Sequence, residues 1–256
     1  MIEKSDSSLS RMLSVLDLFT DNQLSWSADA ISEALQVSLP TGYRYVRMLT
    51  EAGLLQRSAD SMYTLGPRVM VLDHYIRKAD PVLQHALPLM QELVAQTGFN
   101  CIVSGLFGSQ ILDTHHELSS TPTNLSYGRG RIRPLFKGAA PKIILASFTT
   151  SQLHKVFDSN QKEILEADLP TEWSTFRKYY SDIRKAGFYF SVGEVDEDAA
   201  AVSVALQPLQ GPVQGALSLV SSVDRMNLVN QTKLIQLLQR TAQEIMTRVS
   251  PANIDV

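Results

Sequence analysis

The hydrophobic residues of the first quarter of the chain recur with helical spacing in three short segments. From Leu9 to Phe19 they lie three and four residues apart, which predicts one amphipathic helix. Ser27 can cap a second short helix, and Ser38 can cap a third that ends at Gly53. Two strand-like runs around a polar turn follow and predict a small hairpin. This order of helices and hairpin is that of a winged helix-turn-helix domain.

Beyond residue 66 the pattern predicts a linker helix and then a mixed α+β domain. Strand-like runs cover residues 101–107, 110–116, 187–192, 202–206 and 216–220, and helical runs cover residues 82–97, 141–147, 174–186 and 228–249. We therefore expect a winged helix-turn-helix domain at 1–66, a helical linker at 67–80 that ends before Pro81, and a larger domain at 81–256.

The third predicted helix carries candidate DNA-contacting side chains. Val46 and Leu49 must face the core, and this turns the polar residues of the first two turns outward. Arginine forms forked hydrogen bonds to guanine or phosphate, and a hydroxyl at a helix N-terminus can add a phosphate contact. The predicted DNA-contacting set is Ser38, Pro40, Thr41, Tyr43, Arg44, Arg47 and Arg57.

The charge of this domain leaves two interpretations open. Residues 1–66 hold five basic and eight acidic groups, which argues against DNA binding by bulk charge. No acidic residue lies between Glu33 and Glu51, however, so Arg44 and Arg47 form a local basic strip with Arg57. The alternative is a module that dimerises or docks a protein, with solvated arginines.

Composition narrows the class of protein. The 256 residues carry a net charge of -3, which excludes a polybasic coat for nucleic acid or membrane. The single cysteine, Cys101, excludes an internal disulfide and fits a reduced compartment. The first residues lack a signal-like apolar core, and no apolar run is long enough to span a membrane, so we expect a cytoplasmic protein.

Several sequence blocks carry a family resemblance. They are residues 9–16, 41–49 and 53–55 in the first domain and residues 134–146, 183–188, 193–194 and 215–219 in the second. Together they resemble the IclR (isocitrate lyase regulator) family of bacterial transcription factors over nearly the whole chain. Pro141 stands where the family usually has glycine.

The resemblance implies a GAF-like effector domain with a curved antiparallel sheet and a pocket for a small organic molecule, often a carboxylate. It also implies dimers, or dimers of dimers. By the match, Ala139, Ala140 and Ser218 would contact the effector. Ala201 stands where the family often has a polar residue or cysteine, so we expect a more apolar pocket floor.

The loop before the small residues is a candidate anion site. Residues 128–142 hold five basic and no acidic side chains, and Arg131 or Arg133 suits a planar carboxylate. A solvated loop or a subunit contact explains these arginines equally well. Aromatic residues beside the loop can stack on an aromatic effector or simply pack. The predicted effector-contacting set is Tyr127, Arg131, Arg133, Phe136, Gly138, Ala139, Ala140, Ala201 and Ser218.

We predict a ligand-responsive transcriptional regulator of a catabolic operon. It would bind double-stranded DNA at a pseudo-palindromic operator as a homodimer or homotetramer, and it would sense a small aromatic carboxylate. We expect no cofactor and no metal site, since His115 and His116 point to opposite faces of a strand. No catalytic motif is present. The alternative is a small-molecule enzyme whose winged helix serves only dimerisation.

Overall fold

The computed structural model describes residues 7–121, 123, 125–126, 128–209 and 211–249. They form two compact units that divide between Asp80 and Pro81. The first unit contains helices α1 (Ser8–Leu13), α2 (Ala28–Ala34), α3 (Leu39–Glu51) and α4 (Arg68–Ala79) and strands β1 (Leu55–Arg57) and β2 (Tyr63–Leu65).

The second unit contains more helices and strands than the first. Its helices are α5 (Pro81–Thr97), α6 (Ala139–Ala146), α7 (Thr150–Ser159), α8 (Gln161–Glu166), α9 (Trp173–Ala186), α10 (Val223–Asn227) and α11 (Gln231–Val249). Its strands are β3 (Asn100–Phe107), β4 (Gln110–Glu117), β5 (Ile132–Arg133), β6 (Tyr189–Val192), β7 (Ala199–Leu206) and β8 (Gly215–Ser222). The sequence pattern did not predict α7, α8, α10 or β5.

The first helix is shorter than its apolar spacing predicts. It ends at Leu13, and a turn of 3-10 helix follows at Leu16–Leu18. The Ser14 hydroxyl donates to the Ser10 carbonyl, a local bond that competes with helix continuation. As a result Val15, outside the predicted stripe, is the buried residue, whereas Leu9 is 67% exposed.

The other elements of the first unit follow the sequence pattern closely. The Ser27 hydroxyl accepts from the Ala30 N–H at 3.1 Å, which confirms the predicted cap of α2. Strands β1 and β2 pair antiparallel and confirm the hairpin. Trp26 extends this ribbon through two backbone hydrogen bonds with Tyr63, a pairing that local sequence does not reveal.

In the second unit an antiparallel sheet has the strand order β5-β4-β3-β8-β7-β6. It is curved, and the register shift between Val103 and Ser104 adds to the bend. Helices α5 and α11 pack on one face, and α6 packs on the other with α9 behind it. The sheet confirms the predicted α+β class and its antiparallel topology.

Side chains alternate along β7 and β8, so the two faces of the sheet carry different residues. Val202, Val204 and Leu217 pack into the core under α5 and α11. Ala201, Ser203 and Ser218 point the other way, beneath the start of α6. Because these side chains are small, they leave space between sheet and helix, and that space is the cavity described below.

Candidate functional sites

Helix α3 is held against α2 by a close approach at Gly42. A Cβ atom there would lie 1.9 Å from the Ser32 hydroxyl, so only glycine allows this packing. Tyr45, Val46 and Leu49 fill the core below. The opposite face of α3 is therefore fixed in orientation and presents its side chains to solvent.

The outer face of α3 and the hairpin line one groove. Its lining residues are Pro40, Tyr43, Arg44, Arg47, Thr50, Glu51, Arg57 and Tyr63. Five of the predicted DNA-contacting residues therefore meet on one surface. The other two, Ser38 and Thr41, bond to each other through their hydroxyls at 2.9 Å. Ser38 is the N-cap residue by position, but its side chain makes no bond to the backbone, contrary to the predicted capping role.

Two acidic residues modify this groove. Glu51 lies one turn beyond Arg47, and its carboxylate is 3.3 Å from the Arg47 Nε. Both side chains are largely exposed, so the pair is weak and readily exchanged for another partner. On α2, a hydrogen bond with Asp29 raises the pKa of Tyr43. Each contact gives one groove side chain an acidic neighbour in the unbound protein.

The second unit contains a partly open cavity between the sheet and the N-terminal end of α6. Strand register builds its floor, because Ser203, Ser218 and Ile102 lie directly opposite one another on β7, β8 and β3. The next row on the same face joins Ser191, Ala201 and Val220. The remaining lining residues are Leu125, Arg133, Gly138, Ala139, Ala140, Val195, Asp196, Ala199 and Ala200.

The start of α6 forms the cavity roof. Gly138 precedes the helix with φ +85°, a left-handed conformation that favours glycine, and its N–H donates to Glu194 at 2.8 Å. The N–H groups of Ala139 and Ala140 are the first two of the helix and have no carbonyl partner within it. Pro141 has no N–H to lose and is tolerated in this first turn. The roof thus presents a helix N-terminus to the cavity, an arrangement that favours anions.

A buried carboxylate holds the cavity arginine. Asp113 accepts from Arg133 Nε at 2.9 Å and pairs with Arg133 Nη2 at 2.7 Å, a forked geometry. It also accepts from the Ser104 hydroxyl at 2.7 Å and contacts His116 Nε2 at 3.0 Å. Burial by itself would raise the pKa of Asp113, but hydrogen bonds with His116, Arg133 and Ser104 lower it below its ordinary value. Arg133 therefore already has an ionic partner in the wall of the cavity.

A second ion pair fixes the roof from outside. Lys142, buried in α6, contacts the Glu194 carboxylate at 2.7 Å and the Tyr189 hydroxyl at 3.0 Å. The Tyr189 hydroxyl donates to the other Glu194 oxygen at 2.9 Å, and Tyr179 donates to Tyr189. Burial and the neighbouring Tyr179 raise the pKa of Tyr189. This network ties α6 to the loop after β6, whose Val195 and Asp196 line the cavity.

Six of the predicted effector-contacting residues line the cavity together. They are Arg133, Gly138, Ala139, Ala140, Ala201 and Ser218. Tyr127 lies outside the described residues. The sequence reasoning missed Ser203, although its alternation with Val202 and Val204 could have placed it on the same face as Ala201.

Two predicted residues lie elsewhere, which corrects the expectation for them. Phe136 is buried in the core on the α6 side of the sheet, where its ring meets Phe176 edge-on, because the chain turns inward before α6. Arg131 is exposed and donates to the Ser126 carbonyl instead of lining the cavity. Asp113, Glu194 and Asp196 also supply acidic groups that the loop sequence lacks.

Other candidate chemistry is limited within the described part of the chain. No group of three histidine, cysteine or carboxylate side chains there is placed to hold a metal ion. Burial raises the pKa of the Cys101 thiol, which lies in the core. Among the described residues, no helix has the length and apolar character needed to cross a membrane.

Comparison with known proteins agrees with this architecture. Residues 8–59 match the IclR helix-turn-helix domain, and residues 74–247 match the C-terminal domain of the bacterial transcriptional regulator IclR. The HTH-type transcriptional regulator XynR of Escherichia coli (strain K12) is 23% identical over 237 residues, which cover 90% of this chain and 92% of XynR.

Solved structures share the fold at low sequence identity. An IclR homologue of Microbacterium hydrocarbonoxydans, complexed with 4-hydroxybenzoate, aligns with a TM-score of 0.80 and 19% identity over 96% of this chain and 100% of the homologue. The IclR transcriptional regulator of Alicyclobacillus acidocaldarius aligns with a TM-score of 0.78 and 19% identity over 95% of this chain and 98% of that protein.

Proposed function

We propose, because this chain belongs to the IclR family of bacterial transcriptional regulators, that a small organic acid bound in its second unit controls how its first unit binds DNA. DNA binding itself follows from the helix-turn-helix domain, and one IclR homologue of the same fold is complexed with 4-hydroxybenzoate. The observation that carries the proposal is the cavity under the N-terminus of α6. The family is one of transcriptional regulators, and we propose no enzymatic activity.

In the first unit we assign different tasks to the groove arginines. Arg44 and Arg47 project from consecutive turns of α3, the helix that enters the major groove in this motif, and would contact base edges. Arg57 projects from the hairpin and would contact phosphate, which fixes position without reading sequence. The target would be a pseudo-palindromic operator of a catabolic operon.

In the second unit the acid would bind with its carboxylate at the start of α6. Arg133 is already neutralised by Asp113, so it is not the free clamp that the loop sequence suggests. The unpartnered N–H groups of Ala139 and Ala140 and the helix dipole remain available to an anion. Arg133 would add a secondary contact from the wall.

The size of the cavity bears on the class of acid. Its volume is about 50 Å³, whereas a cavity of roughly 150 Å³ is known to bind benzene. An IclR homologue of similar fold is complexed with 4-hydroxybenzoate, and we propose that an aromatic acid binds in this cavity as well. Such a ligand must push the walls apart. A ligand that prefers the opened state can shift the population toward it, which is the requirement for regulation.

A thermal-shift screen tests the effector proposal. We expect aromatic and aliphatic acids to include a compound that stabilises the protein by about 2.7 kcal/mol at one hundred times its Kd. The methyl ester of that acid should bind about tenfold or more weakly, because a charge-assisted hydrogen bond contributes about 1.5–3 kcal/mol. Ala201→Leu, which fills the cavity, should abolish the shift, and the exposed Ala186→Leu should not. Equal binding of ester and acid would refute the carboxylate site at α6.

We further propose that the protein is a dimer through α4. This helix buries no residue, and Met70, Leu72, Tyr75 and Ile76 are 71%, 44%, 60% and 64% exposed. Val69, Leu72, Ile76 and Ala79 are spaced like the seam of a coiled coil, and such a seam is complementary to a second copy of itself. A large exposed apolar surface of this kind marks a protein interface.

Light scattering at micromolar concentration should therefore report a dimer or tetramer. Ile76→Lys should lower the mass toward that of the monomer and weaken binding to a two-fold operator, because each half-site contributes little alone. Leu165→Lys, which makes the same change at a position 68% exposed on α8, should alter neither property. A monomeric wild-type protein in the presence of DNA would rule out the dimer.

A further inference from the structure

Two serine hydroxyls meet in the floor of the cavity. Ser203 on β7 and Ser218 on β8 are direct partners in the sheet register, and their Oγ atoms are 2.6 Å apart. The two residues are 0% and 3% exposed, and both line the cavity. Cross-strand pairing of small side chains thus places a polar pair on a buried surface.

One of the two hydroxyl hydrogens of this serine pair is not used by the bond between the serines. Two hydroxyls hold two hydrogens, and the bond between them uses only one. Within the described part of the chain, neither hydroxyl has another hydrogen-bond partner. Because both side chains line the cavity, the second hydrogen is available to whatever fills it, and a buried donor left unpaired is costly.

The residues around the serine pair on the cavity floor are apolar. Ile102 flanks it on β3, and Ala201 and Val220 form the next row of the floor. The polar group at this end of the cavity is thus supplied at positions 203 and 218 and not at the apolar position 201. Ser191 is a more distant hydroxyl on the lining, and its register partner is Ala201.

We infer that the Ser203–Ser218 pair is a second polar subsite that selects acids carrying a further oxygen, a hydroxyl or a carbonyl, besides the carboxylate. The ligand oxygen accepts the spare hydroxyl hydrogen, and a ligand hydroxyl can in turn donate to a serine lone pair. Ser203 is the specificity-determining residue of this subsite. The inference rests on the proposed function, which supplies the carboxylate end of the ligand.

A matched set of acids tests the subsite on the full-length protein. The probes are benzoate against 4-hydroxybenzoate and 3-hydroxybenzoate, and propanoate against lactate and pyruvate, measured by calorimetry. For at least one pair we expect the oxygenated acid to bind wild type about tenfold or more tightly, because its parent leaves the buried donor unpaired. Ser203→Ala should reduce that ratio to near one by weakening the oxygenated acid.

Three further variants separate a loss of ligand selectivity from general damage to the fold. Ser221→Ala removes another fully buried hydroxyl of β8 that does not line the cavity, and it should keep the wild-type ratio. Ser218→Ala should act like Ser203→Ala, and the double variant should add little, because both changes remove one shared subsite. Circular dichroism and unliganded melting temperature verify the fold of each variant.

The outcomes distinguish failure of the serine subsite from failure of the acid effector. If wild type binds parent and oxygenated acids equally, or if Ser203→Ala keeps the preference, the subsite is refuted while the acid effector stands. If the oxygenated acid binds more tightly than its parent, and this preference is lost in Ser203→Ala and Ser218→Ala but kept in Ser221→Ala, the subsite is supported. If no acid of the set binds, the acid effector is refuted and the subsite with it.

Discussion

Replacing Arg44 and Arg47 together by alanine should eliminate sequence-specific DNA binding. Each arginine that reads a base contributes about 1–3 kcal/mol, so the double variant should lose roughly a hundredfold or more in affinity. The two side chains are exposed on α3 and lie in the same groove as Arg57. Fluorescence anisotropy on a site selected by the wild-type protein from random DNA measures the loss.

Three other variants give this experiment its controls. Arg57→Ala should weaken binding to the selected site and to unrelated DNA by the same factor, because phosphate contacts carry no sequence information. Glu51→Gln should not weaken binding, since it frees Arg47 from its pair. Arg177→Ala, an exposed arginine of α9, should change nothing. A double variant with wild-type affinity and an intact circular dichroism spectrum would contradict the assignment.

Asp113→Asn should be the most destabilising conservative change in the second unit. The Asp113 side chain is fully buried and forms a forked ion pair with Arg133, so its loss removes the buried carboxylate that faces a largely buried guanidinium. Breaking such a pair costs about 3–5 kcal/mol. Urea unfolding of the full chain, followed by a fluorescence signal from Trp173 in the second unit, measures the free energy of unfolding.

The same residue predicts a pH dependence. Its pKa is lower in the folded protein than in the unfolded chain, so Asp113 adds stability above its unfolded value, about pH 4, and that contribution is lost as the pH falls through the folded pKa. Wild type should therefore lose stability below about pH 4, and Asp113→Asn should lose less over the same range.

A double variant and a surface control complete the test. Adding Arg133→Met to Asp113→Asn should recover part of the lost stability, because the largely buried guanidinium is then removed together with its carboxylate. Asp182→Asn removes an exposed carboxylate that pairs with Lys185 at 3.6 Å and should cost well under about 1 kcal/mol. If Asp113→Asn matches this surface control, the buried pair does not hold the second unit together.

Local signals in the sequence determined most of the first unit. The spacing of Val46 and Leu49 oriented α3, Ser27 capped α2, and the polar turn after Arg57 placed the hairpin. Each of these depends on residues within a few positions of one another. Helix and hairpin geometry fix such neighbours regardless of the rest of the chain. The end of α1 at Leu13 is the exception, because a side-chain bond competed with the apolar spacing.

The second unit shows what only the tertiary structure decided. The sequence predicted most of its strands and, by resemblance, the small residues at the start of α6, and the structure places these over one cavity. It did not predict which strands pair. Strand order and register join residues far apart in the chain, so the meeting of Ser203 with Ser218 followed from no local pattern.

The charge around the cavity was the property that the sequence predicted least well. Residues 128–142 contain five basic groups and no acid, yet folding places Asp113 on Arg133 and Glu194 on Lys142. Those partners come from β4 and from the loop after β6. Burying a charge is costly unless it is paired, so the fold pairs the two most buried of these five cations with carboxylates from elsewhere in the chain. The sequence thus determined where the cavity lies along the chain, and tertiary structure decided which charges and hydroxyls remain to meet a ligand.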